Sequence, residues 1–251
     1  NALDGAGVQG AIVQPFPGAP NAAAVHNRIA ALAEQRPGRI FGLASVSPHL
    51  PDDQFESEVR RCIRDLGFVG VKLHTIGHAV HPLTPDAERV FTVARELGVP
   101  VNIHTGPGVP FALPSLQIPL IKAHPDVPVV LAHSGWEVFT AEALIVAREF
   151  SNVYLETSWC SAEDIAWLIK ELGPERVMMG SDSLVNLPVE LAKYRALDLD
   201  DADVAKLLGT TAIRVYGLPV SSGFHWTVGN AGACPRIESP GLDPKLSSRD
   251  P

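Results

Sequence analysis

An α/β fold, and within it a closed (β/α)8 barrel of the TIM type, is what this sequence predicts, on three observations. Short apolar runs alternate with amphipathic segments, each run about 25 to 30 residues from the next, a usual β-α unit length. The runs are apolar almost throughout, as parallel strands covered by helices are. Polar side chains stand at the C-terminal ends of at least five of them, namely His74, His104, His133, Ser158 and Asp182. That many strand ends converge on one point only if the sheet closes, so an open doubly wound sheet meets the first two observations and not the third.

Taken in order, residues 1–7 read as the end of a helix stopped by Gly5 or Gly7. Residues 8–14 form the first strand. Asn21 opens a helix carrying Val25, Ile29, Leu32 and Ala33 at helical spacing, and Pro37-Gly38 stops it. A strand at 40–46 follows, then a helix with Phe55, Val59, Ile63 and Leu66 on one face, ended by Gly67. After the strand at 68–74, Thr84 caps the next helix, with Pro85 in its first turn and Val90, Val93, Ala94 and Leu97 facing inward. The strand ending in His104 leads into a Pro- and Gly-rich loop, 105–114, and a short helix at 118–124. Next come the strand ending in His133 and a helix with Ala141, Leu144, Ile145 and Arg148. A strand at 152–157 precedes a helix through Leu172 that Ser161 and Asp164 cap. The strand ending in Asp182 precedes two or three short helices, the last near 211–216.

That makes seven strands, where a barrel of this kind has eight. The chain begins with Asn1, where a first strand would just have ended, so residues 1–218 are expected to supply strands 2 to 8. A barrel lacking one strand leaves two sheet edges open, so the chain is expected to be less stable than one extended upstream unless another segment fills the gap, and whether it is active without that strand stays open. Residues 219–251, with Gly, Pro and Ser and no sustained period, read as a flexible tail.

The 251 residues are 46% hydrophobic and 19% charged, enough to bury a substantial core. The net charge of -8 argues against nucleic acid or an anionic membrane as partner. No apolar run approaches the roughly 18 to 20 residues of a membrane span. The three cysteines, Cys62, Cys160 and Cys234, are widely spaced without C-x-x-C, which fits a reducing, cytoplasmic setting. A small-molecule substrate is the expected partner, and a homo-oligomer stays open.

Period-two alternation sorts the strand residues. Lys72 with His74, Asn102 with His104, Tyr154 with Glu156 and Ser158, and Gly180 with Asp182 share one side. Val71, Leu73, Val101, Ile103, Val153, Leu155, Val177 and Met179 take the other, under the helices. Such a polar set inside a core is costly unless paired or coordinated, which is the physical reason to expect a site there. His104 and Asp182 suit a divalent ion, Zn first and Mn or Fe as alternatives, that would activate water near neutral pH. His133 is either a second ligand or, preferred, an acid/base or transition-state group. Lys72 either pairs with Glu156 or binds a substrate carboxylate. His74, Glu156 and Ser158 are the other expected substrate contacts. His78 and His81 read as solvated loop residues, and His26, His49, His124 and His225 have no partner that the sequence identifies.

Gly67-Phe68-Val69-Gly70-Val71-Lys72-Leu73-His74, Ile103-His104-Thr105-Gly106, Leu131-Ala132-His133-Ser134-Gly135, Tyr154-Leu155-Glu156-Thr157-Ser158 and Gly180-Ser181-Asp182 occur in this order. Together they resemble the amidohydrolase-related metal-dependent hydrolases of the amidohydrolase superfamily, over about residues 3–218. The resemblance implies a (β/α)8 barrel with a divalent metal at its C-terminal mouth. In it His104 would be a metal ligand, His133 the catalytic or metal-adjacent histidine, and Asp182 a ligand or proton shuttle. Lys72, as in some related barrels, has carbamylation to bridge two metals as a third reading. The family's first strand carries a His-x-His pair, and none occurs here; a strand upstream is where it is expected. The activity implied first is metal-dependent hydrolysis of a C–N or C–O bond in a small carboxylated or cyclic substrate, with Asp182 carrying the proton and His133 stabilising the oxyanion. The alternatives are non-oxidative decarboxylation of an aromatic or unsaturated acid, and a non-catalytic truncated barrel.

Overall fold

The computed structural model describes residues 2–219. Seven strands pair in chain order, each neighbour parallel: β1 (Ala11–Val13), β2 (Ile40–Ala44), β3 (Gly70–Leu73), β4 (Val101–His104), β5 (Val129–Ala132), β6 (Val153–Glu156) and β7 (Val177–Met178). A short helix, α1 (Ala2–Gly5), precedes β1. The crossovers between successive strands carry α2 (Ala22–Gln35), α3 (Asp52–Arg64), α4 (Pro85–Leu97), α5 (Ile118–Ala123), α6 (Thr140–Glu149) and α7 (Ala162–Leu172). Three more, α8 (Leu187–Ala196), α9 (Asp201–Ala205) and α10 (Thr211–Tyr216), follow β7. The curled parallel sheet under alternating helices is the TIM-type arrangement expected.

Among the described residues β1 and β7 each have one strand neighbour, so the sheet keeps two edges. All three residues of β1 are half-buried, whereas β3, β4 and β5 are buried throughout. The tail expected from residue 219 onward lies, beyond that first residue, outside the described residues, as does Cys234.

Register sorts the side chains as alternation requires. Val71, Val101, Val129 and Val153 align across β3 to β6, and Leu73, Ile103, Leu131, Leu155 and Val177 align one row above. Both rows join one apolar cluster with Phe55 and Val59 of α3, Phe91 and Ala94 of α4, Leu144 of α6 and Leu168 of α7. Leu73, Ile103, Leu131 and Leu155 are wholly buried, and truncating any one to alanine is expected to cost about 2–5 kcal/mol. A second, smaller cluster fills the interior: Phe41, Leu43, Val69, Val130 and Met178 with Val215 and Tyr216 of α10. Arg214 of α10 donates to the carbonyl of Glu175, just before β7, so α10 sits at the N-terminal end of the strands and plugs the floor.

Asn21 and Ser161 cap α2 and α7 as expected, accepting from the amides of Ala24 and Asp164 at 2.9 and 3.0 Å. Thr84 does not; its hydroxyl donates to the His81 carbonyl instead. Two helices are also rotated from the expected face. α2 buries His26, Ile29 and Ala30 and leaves Leu32 44% exposed. The His26 ring explains this, since Nε2 accepts from the Ser45 amide and Nδ1 lies 2.7 Å from a Glu58 carboxylate oxygen. α6 buries Thr140, Ala143, Leu144, Val146 and Ala147, and Ile145 is 65% exposed. Small side chains on that face let the helix approach the sheet, which a face built on Ile145 would prevent. His124, like His26, has a carboxylate partner the sequence did not disclose, Glu88 at 2.7 Å. So does His49, with Asp86 at 2.6 Å.

Candidate active site

Register brings the first pair together. The pairing Leu73↔Ile103 sets His74 beside His104 one residue further on, and the two rings stack at 4.1 Å and 9°. Both side chains, with Lys72, His133, Trp136 and Asp182, line one cavity of about 280 Å³ at the C-terminal mouth, closed on the β1 side by Gln14, Pro15, Phe16 and Pro17. His133 approaches His104 edge-on at 4.8 Å. The residues expected from the sequence to share a mouth therefore do so, with Glu156 and Ser158 directly behind His133.

The protons in this cluster can be assigned from the bonds. The hydroxyl of Ser158 donates to Glu156 Oε2 at 2.9 Å, so its oxygen accepts from His133 Nδ1 at 2.7 Å. That fixes the neutral tautomer of His133, with the lone pair on Nε2. Burial, reinforced by the charge of Lys72, depresses the His133 pKa to about 3. His74 accepts from the Gly77 amide at Nδ1 and so carries its proton on Nε2. Burial and the neighbouring His104 hold its pKa at about 3 as well.

His104 differs from both. Its pKa is also pulled to about 3, by burial first and then by His133 and Lys72. Yet both ring nitrogens are buried with no hydrogen-bond partner. A buried imidazole with two idle nitrogens is costly, and a cation taking the unprotonated one would remove part of that cost. Asp182, which lines the same cavity, supplies a carboxylate. The donor chemistry therefore fits a divalent ion held by His104 and Asp182, with His133 adjacent. Two protein donors leave most of a coordination shell to other groups.

Lys72 is not in the ion pair with Glu156 that the sequence suggested. Its ammonium donates to Asn102 Oδ1 at 2.7 Å, and Asn102 Nδ2 donates to the hydroxyl of Tyr216 at 3.0 Å. Asn102 shares its layer and reaches it directly, while the Glu156 carboxylate is already occupied by the amides of His133 and Ser158 and by the Ser158 hydroxyl. Burial lowers the Lys72 pKa to about 8, against the pull of Glu156 and Asp182. Burial likewise raises the Glu156 carboxyl, which those three bonds oppose.

His78 is buried rather than solvated. Its Nδ1 accepts from the His74 amide at 3.3 Å and its Nε2 meets the Ser45 hydroxyl at 3.4 Å, so it braces the loop that carries His74. His81 is exposed, as expected.

The loops after β5, β6 and β7 are strained in a concerted way. His133, Ser134, Trp136, Glu137, Trp159 and Asp182 all have positive φ, between 44° and 69°. For residues with a Cβ this costs about 1–2 kcal/mol each. Two carboxylates take up amides in these loops: Glu156 accepts from His133 and Ser158, and Glu190 from Trp159 at 2.9 Å. Trp136 and Trp159 stack at 5.3 Å and 15°, and the indole N–H of Trp159 donates to Asp182 Oδ2 at 2.9 Å. Sequence reasoning missed both tryptophans, although each follows a strand-end polar residue closely. It missed Glu190 as well, which lies on α8 with nothing in its neighbours to mark it.

Among the described residues, one group of three donor side chains lies close enough together to share a metal ion, His26, Glu58 and Cys62 on α2 and α3, away from the mouth. Protons account for its contacts: Glu58 Oε1 faces His26 Nδ1, Arg61 Nη2 and the Cys62 thiol.

A family model described as amidohydrolase matches residues 2–218. The chain belongs to the amidohydrolase family. Within it, the chain is 26% identical to the gamma-resorcylate decarboxylase of Rhodococcus jostii (strain RHA1), with 74% of each chain covered. It is similar in structure to an uncharacterized TIM-barrel protein from Bordetella bronchiseptica, at TM-score 0.74 and 18% identity, covering 86% of this chain and 80% of that one. A dihydroxybenzoic acid decarboxylase from Polaromonas sp. JS666, with bound manganese and the inhibitor 2-nitroresorcinol, superposes at TM-score 0.70 and 17% identity, covering 89% and 86%. No helix among the described residues is long and apolar enough to cross a membrane.

Proposed function

We propose that this amidohydrolase-family enzyme carries out metal-dependent, non-oxidative decarboxylation of an aromatic acid bearing a hydroxyl beside its carboxylate. The observation that carries the reading is His104, buried with both nitrogens idle on the cavity that Asp182, Lys72 and Trp136 also line. The similarity to decarboxylases of dihydroxybenzoic acids supports this reaction over the hydrolysis that the sequence motifs suggested first.

The residues divide the work as follows. His104 and Asp182 would hold a divalent ion, manganese in preference to zinc on the strength of the Polaromonas relative, which supplies a Lewis acid for the carboxylate and its neighbouring oxygen. Lys72, on the cavity wall and fixed by Asn102, offers a positive charge to the same carboxylate. Trp136 gives the aromatic ring a face to lie against. His74, with its proton on Nε2, can donate to a substrate oxygen, and His133 Nε2 can accept a phenolic proton. Asp182 Oδ2 accepts from Trp159 and keeps a lone pair for the ion, so Oδ1 is the atom that would take up a proton from solvent and pass it to the ring carbon as the C–C bond breaks and carbon dioxide leaves. Solvent restores that proton. The buried free thiols Cys62 and Cys160 fit a reducing, cytoplasmic setting.

The test is carbon dioxide release from a panel of hydroxybenzoates with manganese supplied, run beside a panel of amides and lactones. Release from a hydroxybenzoate, abolished in Asp182→Asn with an unchanged circular dichroism spectrum, is expected. Turnover of an amide or lactone alone would restore the hydrolase reading, and inactivity on both panels the non-catalytic one.

A further inference from the structure

Asp182 is held by very little of its own strand. β7 ends at Met178, and Asp182 stands four residues beyond it with φ 58°. Its position is set instead by two side chains from other elements. The indole N–H of Trp159 donates to Oδ2 at 2.9 Å, and Asn186 Nδ2 donates to the carbonyl of Ser181, the preceding residue, at 3.2 Å.

Both of these side chains report to one atom. Glu190 Oε1 accepts the backbone amide of Trp159 at 2.9 Å and the Asn186 side chain at 2.8 Å, and the Lys193 ammonium at 2.8 Å balances its charge. Glu190 is wholly buried in α8 and does not line the cavity. A buried ion pair is weak evidence for stability, because desolvation offsets most of the attraction and an apolar residue of similar size often does as well. The bonds of Glu190 run instead to the two loops that meet at Asp182. Trp159 also needs such a hold: its φ of 69° is a conformation that a residue with a side chain adopts only when its surroundings enforce it. The stack on Trp136 then fixes the plane of the indole whose N–H points at Asp182.

We propose that Glu190 is a positioning residue, which through Trp159 on one side and Asn186 on the other sets where the Asp182 carboxylate stands in the mouth. The importance of this for turnover rests on the decarboxylase reading above; the placement itself does not. A displacement of about 1 Å in a reacting group can cost on the order of a hundredfold in rate.

The test pairs kinetics with tryptophan indole 15N–1H spectra of the whole chain, whose four tryptophans are Trp136, Trp159, Trp167 and Trp226. Trp→Phe variants assign the signals. Asp182→Asn, Glu190→Gln and Asn186→Ala are each expected to move the Trp159 signal and leave that of Trp167 in place. In Glu190→Gln and Asn186→Ala, kcat is expected to fall about tenfold or more with KM within about twofold, because the substrate wall is untouched. Asn186→Ala keeps the question open to measurement if Glu190→Gln does not fold, since it cuts the Ser181 link and the Asn186–Glu190 bond and leaves the bond of Glu190 to the Trp159 amide in place. A lower melting midpoint with an unmoved Trp159 signal and unchanged kcat would overturn the proposal and leave Glu190 a structural residue. Absence of carbon dioxide release from the unmodified chain, with the Trp159 signal still shifting in the variants, would overturn the decarboxylase reading and uphold the positioning role.

Discussion

Gly180 stands so close to Glu156 that a Cβ at position 180 would overlap the Glu156 carboxylate. The glycine is there for space, and its φ is not among the positive ones. The absent methyl lets Glu156 reach the amides of His133 and Ser158 at 3.0 and 2.8 Å and so hold the mouth in shape.

Gly180→Ala is therefore expected to destabilise the protein by about 1–3 kcal/mol, as overpacking of a tight site does. Gly5→Ala, where a Cβ would meet nothing within 4 Å, is the control and should leave the melting midpoint unchanged. Equal midpoints for the two variants in a thermal melt would mean that Glu156 can move aside freely.

Ser158→Ala removes the hydroxyl between Glu156 and His133. His133 Nδ1–H then lacks its acceptor in a buried place, at a cost of about 1–3 kcal/mol. Turnover should fall alongside stability, because the proton is no longer pinned to Nδ1 and the Nε2 lone pair is no longer guaranteed. Denaturant unfolding and a kcat measurement check the two parts separately, and Ser158→Thr, which retains a hydroxyl, should recover much of both.

Acid should weaken the fold partly through His78. Burial lowers its pKa from 6.5 to about 4. Between those values the unfolded chain binds a proton that the folded chain refuses, so this contribution is whole above pH 6.5 and is lost as pH falls towards 4. The loss is on the order of 3 kcal/mol if the full shift is realised. His78→Gln should flatten that limb of the midpoint-against-pH curve, and an unchanged slope would show that His78 takes up its proton without cost.

His104 offers a comparison in opposite directions. Without metal, His104→Leu should equal or exceed the parent chain in melting midpoint, because two idle buried nitrogens are replaced by carbon. With excess manganese, the parent should gain stability by mass action and the variant should not. Differential scanning fluorimetry with and without the ion reads both, and a variant that responds to manganese as the parent does would remove His104 from the ligand set.

Much of this was legible in the sequence because period-two alternation is strict in strands buried on both faces. Val71 and Leu73 could only go under the helices, and Lys72 and His74 could then only go inside. Convergence of His104, His133 and Asp182 followed from the curl of the parallel sheet, which brings their strand ends to one cavity. The helices were less legible: Ile145 has the right spacing for a buried face, yet the close packing of Ala143 and Ala147 turns it out to solvent. Partners far apart along the chain were least legible. Nothing local to His26 names Glu58, nothing near Lys72 names Asn102 as a nearer acceptor than Glu156, and nothing in α8 marks Glu190 as the anchor of a loop thirty-one positions earlier. Such pairings are fixed by register and crossover geometry, which a single strand pattern does not carry.

The floor plug has a bearing on how the molecule is made. Lys72 is steadied by Asn102, and Asn102 by the hydroxyl of Tyr216, which belongs to the last described helix. During synthesis all seven strands leave the ribosome before that phenol does. The Lys72–Asn102 pair thus gains its third member only when α10 docks, so the seat of the ammonium is completed by the last described helix.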